Sequence, residues 1–202
     1  MKTPLAVITN EAREDKSAFG TKVAGQAQVM RDQINYYLDR ARVAAGVAVI
    51  GQATAVEPIA EALVRALERI NRDKGIRITS AFEPGLRFQG EKQDLEEMVG
   101  NLLDNACKWA KKDVSISVSQ AVRDGKTDLR RLTIKVEDDG PGLSAEQRAR
   151  IGKRGIRLDE TKPGSGLGLS IVTDLVQSYR GSLDLGQAAK GGLSVSLDLP
   201  AT

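Results

Sequence analysis

Hydrophobic positions in the first 45 residues recur at alternating spacings of four and three. This repeat places apolar side chains along one stripe of a helix, which is typical of coiled coils and helix bundles. A polar break at residues 15–20 precedes the stripe, so the pattern predicts a helical hairpin over residues 1–46. Because a hairpin cannot bury such a seam alone, we expect a homodimeric four-helix bundle, with packing on the rest of the chain as the alternative. The seam consists of Val23, Ala27, Met30, Ile34, Tyr37, Ala41 and Ala44.

From residue 54 onward the pattern changes to short strands mixed with helices, after a small, glycine-bearing stretch at 46–55 that is typical of a hinge. Helical periodicity predicts helices at 58–70, 91–110 and 166–179. The predicted core-facing residues are Ile59, Leu63, Ala66, Leu67 and Ile70 on the first helix, and Leu95, Leu102 and Ala106 on the second. Alternation predicts a strand at 76–82 with 86–88 as its partner, a hairpin of 114–118 and 132–136, and a final pair at 182–185 and 193–199. Helices grouped against a mainly antiparallel sheet predict an α+β fold, with an α/β sandwich over residues 54–202.

Composition narrows the possible chemistry. The 202 residues include no histidine and one cysteine, Cys107, which excludes an internal disulfide, a hydroxyl–histidine triad and histidine-ligated zinc within this chain. A net charge of +3 and 3% aromatic residues give little support for a nucleic-acid partner. No apolar run approaches the roughly 20 residues that span a bilayer, so we expect a soluble chain without direct membrane contact.

One face of the predicted helix at 91–110 carries polar residues. Glu97, Asn101, Asn105 and Lys108 lie at i, i+4, i+8 and i+11, so they share this face. Amide oxygens suit a magnesium ion that is already carried by phosphates, and a lysine neutralises phosphate charge. The alternative is a solvated helix face without a ligand.

The second candidate is the loop Asp138-Asp139-Gly140-Pro141-Gly142, which directly follows a predicted strand. Its glycines allow the backbone to turn tightly, so that a ligand can approach the backbone closely. A carboxylate at the strand end accepts a hydrogen bond from the exocyclic amine of adenine and so selects adenine over guanine. The alternative is an ordinary turn, because these are turn residues in any case.

The third candidate is the loop Gly164-Ser165-Gly166-Leu167-Gly168, which opens a predicted helix. Backbone N–H groups at a helix N-terminus favour phosphate. A Rossmann loop is excluded because no hydrophobic strand precedes it, and a P-loop at 85–91 is excluded because Glu91 replaces the lysine. Between the glycine loops lies a polar segment that suits a lid, or else a solvated loop. Its cations are Lys153, Arg154, Arg157 and Lys162.

The order of these motifs resembles the N box and the two glycine boxes of sensor histidine kinases with the Bergerat (GHKL) ATPase fold. The sequences at 101–109 and 136–142, and Arg154-Gly155, are similar to those of the PhoQ type. Residues 33–41 are similar to the second helix of that type's dimerisation domain. The resemblance covers essentially the whole chain.

The resemblance implies an ATP site with bound Mg2+. In such a site Asn105 coordinates the metal, Asn101 lies beside the metal and the phosphates, and Lys108 contacts a phosphate. Trp109 lines the adenine side, and Asp138 binds adenine. The implied loop residues are Gly140, Gly142, Gly164, Gly166, Gly168 and Leu169, and Arg154 and Lys162 are the implied lid cations. Asn101, Lys108 and Arg154 are implied in catalysis. The phenylalanine that the family has before the lid is replaced by Ile151-Gly152-Lys153.

The start of the chain also resembles the family. The H box reads His-Glu-x-Lys/Arg-Thr-Pro-Leu, and this chain begins Met1-Lys2-Thr3-Pro4-Leu5, which places the acceptor histidine two positions before Met1. Thr3 matches the residue that helps position water for dephosphorylation of the partner regulator. We therefore expect this chain to be the ATP-binding part of a histidine kinase whose acceptor histidine has been removed by truncation. By the same resemblance, the chain would come from the cytoplasmic portion of an inner-membrane sensor. The partner that receives the phosphoryl group would be the receiver domain of a response regulator.

Two other functions stay open at this stage. A histidine-less pseudokinase or scaffold would bind nucleotide or a response regulator without phosphotransfer. An ATP-hydrolysing relative of gyrase, heat-shock chaperones and mismatch-repair ATPases is disfavoured, because those proteins have a glutamate base where this chain has Asn101.

Overall fold

The structure of the chain is a computed structural model. It describes residues 8, 11–12, 17, 19–27, 30, 53–121, 130–150 and 168–202. The chain divides into two compact units, Met1–Val47 and Ala48–Thr202.

In the N-terminal unit the described residues 8, 11–12, 19–27 and 30 are helical. Ser17 caps the start of the helix at 19–27, because its Oγ accepts a hydrogen bond from the N–H of Gly20 at 3.0 Å. Ala27 of the predicted seam is buried, but Met30 is 54% exposed. The seam positions from Ile34 to Ala44 lie outside the described residues, so the hairpin and its dimer stay predictions.

The C-terminal unit contains seven strands and four α-helices among its described residues. The strands are β1 Ala53–Ala55, β2 Arg77–Phe82, β3 Arg87–Gln89, β4 Asp113–Gln120, β5 Arg131–Asp138, β6 Ser182–Gln187 and β7 Leu193–Pro200. The helices are α1 Val56–Ile70, α2 Lys92–Trp109, α3 Ala145–Arg150 and α4 Gly168–Ser178, with a short 3-10 turn at Arg72–Lys74. None of the described helices is long and apolar enough to cross a membrane.

Five strands form a mixed sheet in the order β2-β4-β5-β7-β6, in which only the β2–β4 pair is parallel. This confirms the predicted α+β fold with a mainly antiparallel sheet. Two details of the prediction were wrong. Strand β3 pairs with β1 and not with β2, and the end of the predicted hinge, Ala53–Ala55, is that partner strand. A strand of three residues is too short for its alternation of hydrophobic and polar residues to identify the strand with which it pairs.

The core lies between the helices and one face of the sheet. Alternate residues of β4 and β5 are buried, which is the pattern expected of strands with one covered face. Helix α2 packs against both α1 and α4, and Leu95, Leu102 and Ala106 are buried as predicted. On α1 the prediction was partly wrong: Ile59 and Leu67 are buried as predicted, but Ala66 is exposed and Ile70 is 74% exposed. The rest of the buried stripe is Val56, Ala60 and Val64.

Candidate nucleotide-binding site

Helix α2 supplies the first wall of the candidate site. Its apolar side is buried in the core, which leaves Asn101 and Asn105 half-buried on another face. The Asn101 Nδ2 donates a hydrogen bond to the Glu97 carbonyl at 2.8 Å, so its Oδ1 is directed away from the helix backbone. Within the described part of the chain, no hydrogen bond is made by the Asn105 side chain, whose amide is therefore available to a ligand. Lys108 pairs with Asp104 at 2.5 Å.

The end of strand β5 supplies a buried carboxylate. Asp138 is 6% exposed, and its Oδ1 accepts hydrogen bonds from the N–H groups of Gly140 at 2.8 Å and Leu193 at 3.3 Å. Burial raises the pKa of Asp138 above its usual 3.8; the two N–H groups oppose this shift, and the neighbouring Asp139 adds to it.

The second oxygen of Asp138 is the one that a ligand would meet. In the described residues Oδ2 has no hydrogen-bond partner, and no side-chain oxygen or nitrogen there is both fully buried and unpaired. Oδ2 therefore keeps some contact with solvent. A strand-end carboxylate with one oxygen fixed and one open is a suitable acceptor for an amine.

Two glycine-containing loops, the loop after β5 and the turn between β6 and β7, close around this carboxylate. A Cβ on Gly140 would lie 2.4 Å from the carbonyl oxygen of Trp109, so the loop after β5 passes directly against the end of α2. Gly142 has a φ of +66°, and a Cβ there would lie 2.8 Å from the carbonyl oxygen of Gly191. A Cβ on Gly192 would lie 2.1 Å from the carbonyl oxygen of Asp138. Asp138, Gly140, Gly142 and the backbone of Trp109 are thus brought together, and their roles in ligand binding stay predictions.

The turn between β6 and β7, which contains Gly191 and Gly192, was missed by the sequence analysis. Its Leu193 N–H helps to fix Asp138, and its glycines allow the two loops to approach each other. The only signal in the sequence was a pair of adjacent glycines between two strands, which is common at any hairpin turn.

Asp139 was also missed, and its role is to hold the loops in place. Its carboxylate accepts hydrogen bonds from the N–H groups of Lys111 at 2.7 Å and Lys112 at 3.1 Å. Burial of Asp139 works against its ionisation, but the backbone hydrogen bonds of Lys112, Asp113 and Lys111 lower its pKa overall. The adjacent carboxylates therefore differ: Asp138 keeps one oxygen without a hydrogen-bond partner in the described residues, whereas Asp139 ties the residues that follow α2 to the end of β5.

Helix α4 brings the last glycine of the predicted phosphate loop to α2. Gly168 is the first residue of α4, and a Cβ on it would lie 2.9 Å from the Asn101 Oδ1. Leu169 follows, half-buried, and its carbonyl accepts a hydrogen bond from the Thr173 Oγ1 at 2.8 Å. Gly164, Gly166, Arg154, Lys162 and Thr3 lie outside the described residues, so their predicted roles stay predictions.

Two further observations limit the chemistry. Burial, and then the charge of Asp104, raise the pKa of Cys107 to about 11, so this buried thiol is not a reactive nucleophile. In the described residues there is no group of three or more histidine, cysteine, aspartate or glutamate side chains that would hold a metal by itself.

Comparison with known families agrees with this geometry. Residues 90–202, which extend from the start of α2 to the end of the chain, match the family of histidine kinase-, DNA gyrase B- and HSP90-like ATPases. The chain belongs to this family.

Among curated proteins, the chain is similar to two bacterial sensor kinases. It is 36% identical over 198 residues to the sensor protein PhoQ of Escherichia coli (strain K12), covering 95% of this chain and 39% of PhoQ. It is 38% identical over 205 residues to the sensor protein kinase CarS of Pseudomonas aeruginosa, covering 99% of this chain and 44% of CarS. The resemblance to sensor histidine kinases of the PhoQ type is confirmed, and the chain spans less than half the length of these relatives.

Solved structures show the same fold. The full-length ShkA structure in complex with AMPPNP superposes with a TM-score of 0.74 at 24% identity, covering 100% of this chain and 44% of ShkA. The mycobacterial sensor histidine kinase MprB superposes with a TM-score of 0.61 at 27% identity, covering 74% of this chain and 97% of that structure.

Proposed function

We propose that this chain is the ATP-binding catalytic portion of a two-component sensor histidine kinase. In that role it delivers the γ-phosphoryl group of ATP to a histidine, from which the group passes to a response regulator. The observation that carries the proposal is the buried Asp138 carboxylate, which has one oxygen fixed by backbone N–H groups and the other open. The sensor kinases at 36% and 38% identity support the same assignment.

The adenine ring is proposed to bind at Asp138, beside Trp109 and Gly140. The exocyclic amine of adenine donates a hydrogen bond to Oδ2, and burial strengthens such a bond because the surroundings have a low dielectric constant. Guanine carries a carbonyl oxygen at the same position, which would face the carboxylate without a proton between them. The site therefore selects ATP over GTP.

Asn105 is proposed to hold Mg2+. Its amide has no other hydrogen-bond partner in the described residues, and a neutral oxygen ligand suits an ion that is mainly carried by phosphate oxygens. The absence of an acidic cluster in the described part of the chain is consistent with a metal that arrives with the nucleotide. When bound, Mg2+ neutralises charge on the phosphates.

The phosphates are proposed to lie between Asn101 and the N-terminus of α4, at Gly168 and Leu169. Free N–H groups at the start of a helix attract an anion, and Gly168 already lies against Asn101. Lys108 contacts the phosphates in this proposal, exchanging its present partner Asp104 for a phosphate oxygen. By resemblance to the family, Gly164 and Gly166 shape the same loop, and the lid cations Arg154 and Lys162 neutralise the triphosphate.

The reaction is an in-line transfer. A nitrogen of the acceptor histidine attacks the γ-phosphorus, the bond from that phosphorus to the β,γ-bridging oxygen breaks, and ADP leaves with the electron pair. Asn101, Lys108 and Arg154 are the proposed catalytic residues, and they act by positioning and charge neutralisation. This chain contains no histidine, so the acceptor lies outside it.

The N-terminal unit is proposed to form a homodimer that receives the response regulator, with Thr3 positioning water for dephosphorylation. Phe19 is 74% exposed and Met30 is 54% exposed on described helical residues, which supports coverage of this unit by a second copy. By resemblance to the sensor kinases, the chain is proposed to work in the cytoplasm, as part of an inner-membrane sensor.

A second candidate function is a scaffold that binds nucleotide or a response regulator without phosphotransfer. The observation that favours it is the absence of histidine from the chain. The two functions differ in what happens when an acceptor is supplied. We would extend the chain with His-Glu ahead of Met1, which completes the family's H box, and add γ-labelled ATP. Acid-labile labelling of the extended chain is expected for the kinase, and nucleotide binding without labelling would favour the scaffold.

The site itself is tested by calorimetric titration of Mg-ATP. We expect saturable binding that is lost in Asp138→Ala and made weak and insensitive to magnesium in Asn105→Ala. Gln93→Ala is the matched control, because Gln93 is exposed at the first turn of the same helix α2. Equal loss in Asn105→Ala and Gln93→Ala would contradict the magnesium assignment, and unchanged binding in Asp138→Ala would contradict the adenine assignment.

A further inference from the structure

Tyr179 joins the end of helix α4 to the beginning of helix α2. It follows directly after α4, and its hydroxyl donates a hydrogen bond to the Asp94 Oδ2. The same hydroxyl oxygen accepts a hydrogen bond from the backbone N–H of Glu91 at 3.3 Å. A single hydroxyl group is therefore bonded to two points of the first turn of α2.

These two partners occupy the positions of a capping box. Glu91 is the N-cap of α2, with an extended backbone and no capping hydrogen bond from its own side chain, and Asp94 is the third residue of the helix. In a standard capping box the side chain at the third position accepts the N-cap N–H directly. Here the Tyr179 hydroxyl lies between the two groups. The N-terminus of α2 is thus completed by a residue from the end of α4.

The ring of Tyr179 is held as firmly as its hydroxyl. It packs edge-on against the buried Phe88, with ring centroids 4.8 Å apart and an angle of 67° between the planes. Gly90 leaves room for both rings, because a Cβ there would lie 2.4 Å from Phe88 and 2.5 Å from Tyr179. Burial raises the pKa of Tyr179, and its hydrogen bond to Asp94 adds to this shift, so the hydroxyl keeps its donor proton.

The backbone at Tyr179 is fixed by a Schellman motif. The N–H of Gly181 bonds to the carbonyl of Val176 at 2.8 Å, and the N–H of Arg180 bonds to the carbonyl of Gln177 at 3.0 Å. Arg180 takes the left-handed conformation that the motif needs, with a φ of +53°. The end of α4 therefore has one defined geometry, and Tyr179 has little freedom to follow a shift of α2.

The other contact between the same helices lies at the candidate phosphate site. Gly168, at the start of α4, lies against Asn101, which is seven residues after Asp94 on α2. At a rise of about 1.5 Å per residue, the two anchor points are about 10 Å apart along α2. The helices run in opposite directions between them, so a slide of α4 at the Tyr179 end displaces Gly168 from Asn101 by a comparable distance.

We propose that Tyr179 is a positioning residue for the nucleotide: by bridging Glu91 and Asp94, it fixes α4 along α2 and so places Gly168 beside Asn101 on the phosphate side of the site. The inference rests on the proposed role of Asn101 in nucleotide binding. It assigns to Tyr179 no contact with the nucleotide itself. The effect of losing the hydroxyl is therefore specific to ligands that carry phosphates.

The test compares Tyr179→Phe with Ser178→Ala. Each substitution removes one hydroxyl from the last turn of α4, but the Ser178 hydroxyl bonds within its own helix, to the Leu175 carbonyl at 2.6 Å. We expect Tyr179→Phe to weaken Mg-ATP binding about three- to tenfold, the effect of losing one typical intramolecular hydrogen bond. Adenosine binding should change less than about twofold, since Asp138 is not affected. Ser178→Ala should leave both affinities unchanged.

A second measurement is independent of nucleotide binding. By amide hydrogen exchange, Tyr179→Phe should lower protection at residues 168–170 as well as at 92–95, whereas Ser178→Ala should not. If exchange rises at both segments but the unaltered chain binds no Mg-ATP, the proposed function fails while the positioning role stands. Unchanged protection at 168–170, or equal losses of Mg-ATP and adenosine affinity, would overturn the role of Tyr179. Asp94→Ala removes the acceptor of the Tyr179 hydroxyl from the α2 side and should reproduce the selective loss if Tyr179→Phe does not fold.

Discussion

Gly192→Ala is the substitution with the clearest structural consequence at the candidate site. A Cβ at this position would lie 2.1 Å from the Asp138 carbonyl oxygen and 2.3 Å from the Asp138 Oδ1. Two of its three nearest atoms belong to the Asp138 backbone, which cannot move aside by rotation of a side chain. The two loops must therefore separate by roughly 1 Å, which is the overpacking that a close-packed interior resists.

The cost has two parts. Overpacking of this kind destabilises a protein by about 1–3 kcal/mol, and the Leu193 N–H, 3.3 Å from Oδ1, loses its charged partner at a further cost of about 1 kcal/mol. For a chain of this size we expect the melting temperature to fall by about 5–10 °C. Because Asp138 moves with the loop, Mg-ATP affinity should also fall at least tenfold, or about 1.4 kcal/mol.

Gly186→Ala is the control for this prediction. Gly186 lies in β6 of the same hairpin, and the nearest atom to a Cβ there is the Ser194 Cβ at 3.8 Å, an ordinary contact. Thermal unfolding and calorimetric titration of the two variants would be compared. We expect Gly186→Ala to remain within about 0.5 kcal/mol of the parent chain. The reasoning is refuted if Gly192→Ala matches this control in both stability and affinity.

Three further predictions concern the surroundings of the site. Asp139→Asn should lower the free energy of unfolding at neutral pH, because the pKa of Asp139 is lowered in the folded state. The extra stability of the parent chain is present above pH 3.8 and is lost as the pH falls below that value. Urea unfolding of both chains at several pH values would measure this difference. Arg180→Gly should stabilise the chain by up to about 1 kcal/mol in urea, since it relieves a left-handed φ of +53°, and a loss of stability would contradict this. Cys107 should react with iodoacetamide at pH 8 only after unfolding, as followed by mass spectrometry, because its buried thiol has a pKa of about 11.

The secondary structure of the C-terminal unit was predictable wherever the hydrophobic period was sustained. Helix α2 and the hairpin of β4 and β5 were placed within a few residues, since their buried positions repeat over several turns or pairs. The partner of β3 was not predictable, because a strand of three residues pairs through its backbone and through contacts distant in sequence. Ile70 was assigned to the core by spacing alone, although the helix ends there and its side chain is 74% exposed.

The candidate site was predictable where its chemistry requires particular residue types. Asp138, Asn101 and Asn105 stood out because carboxylate and amide oxygens at those spacings suit adenine and magnesium. Gly192 and Tyr179 did not, because their roles depend on which loop or helix lies opposite them in the fold. A glycine is identified by what its missing Cβ would meet, and this is a property of the packed structure.

The measurement that tests the central proposal most directly is a parallel titration of Mg-ATP and Mg-GTP into the unaltered chain. If adenine is recognised by the open oxygen of Asp138, Mg-ATP should bind with a saturable heat and Mg-GTP should give no saturable binding over the same concentration range. Equal binding of both nucleotides would contradict the assignment of Asp138, and binding of neither would contradict the proposed function of the chain.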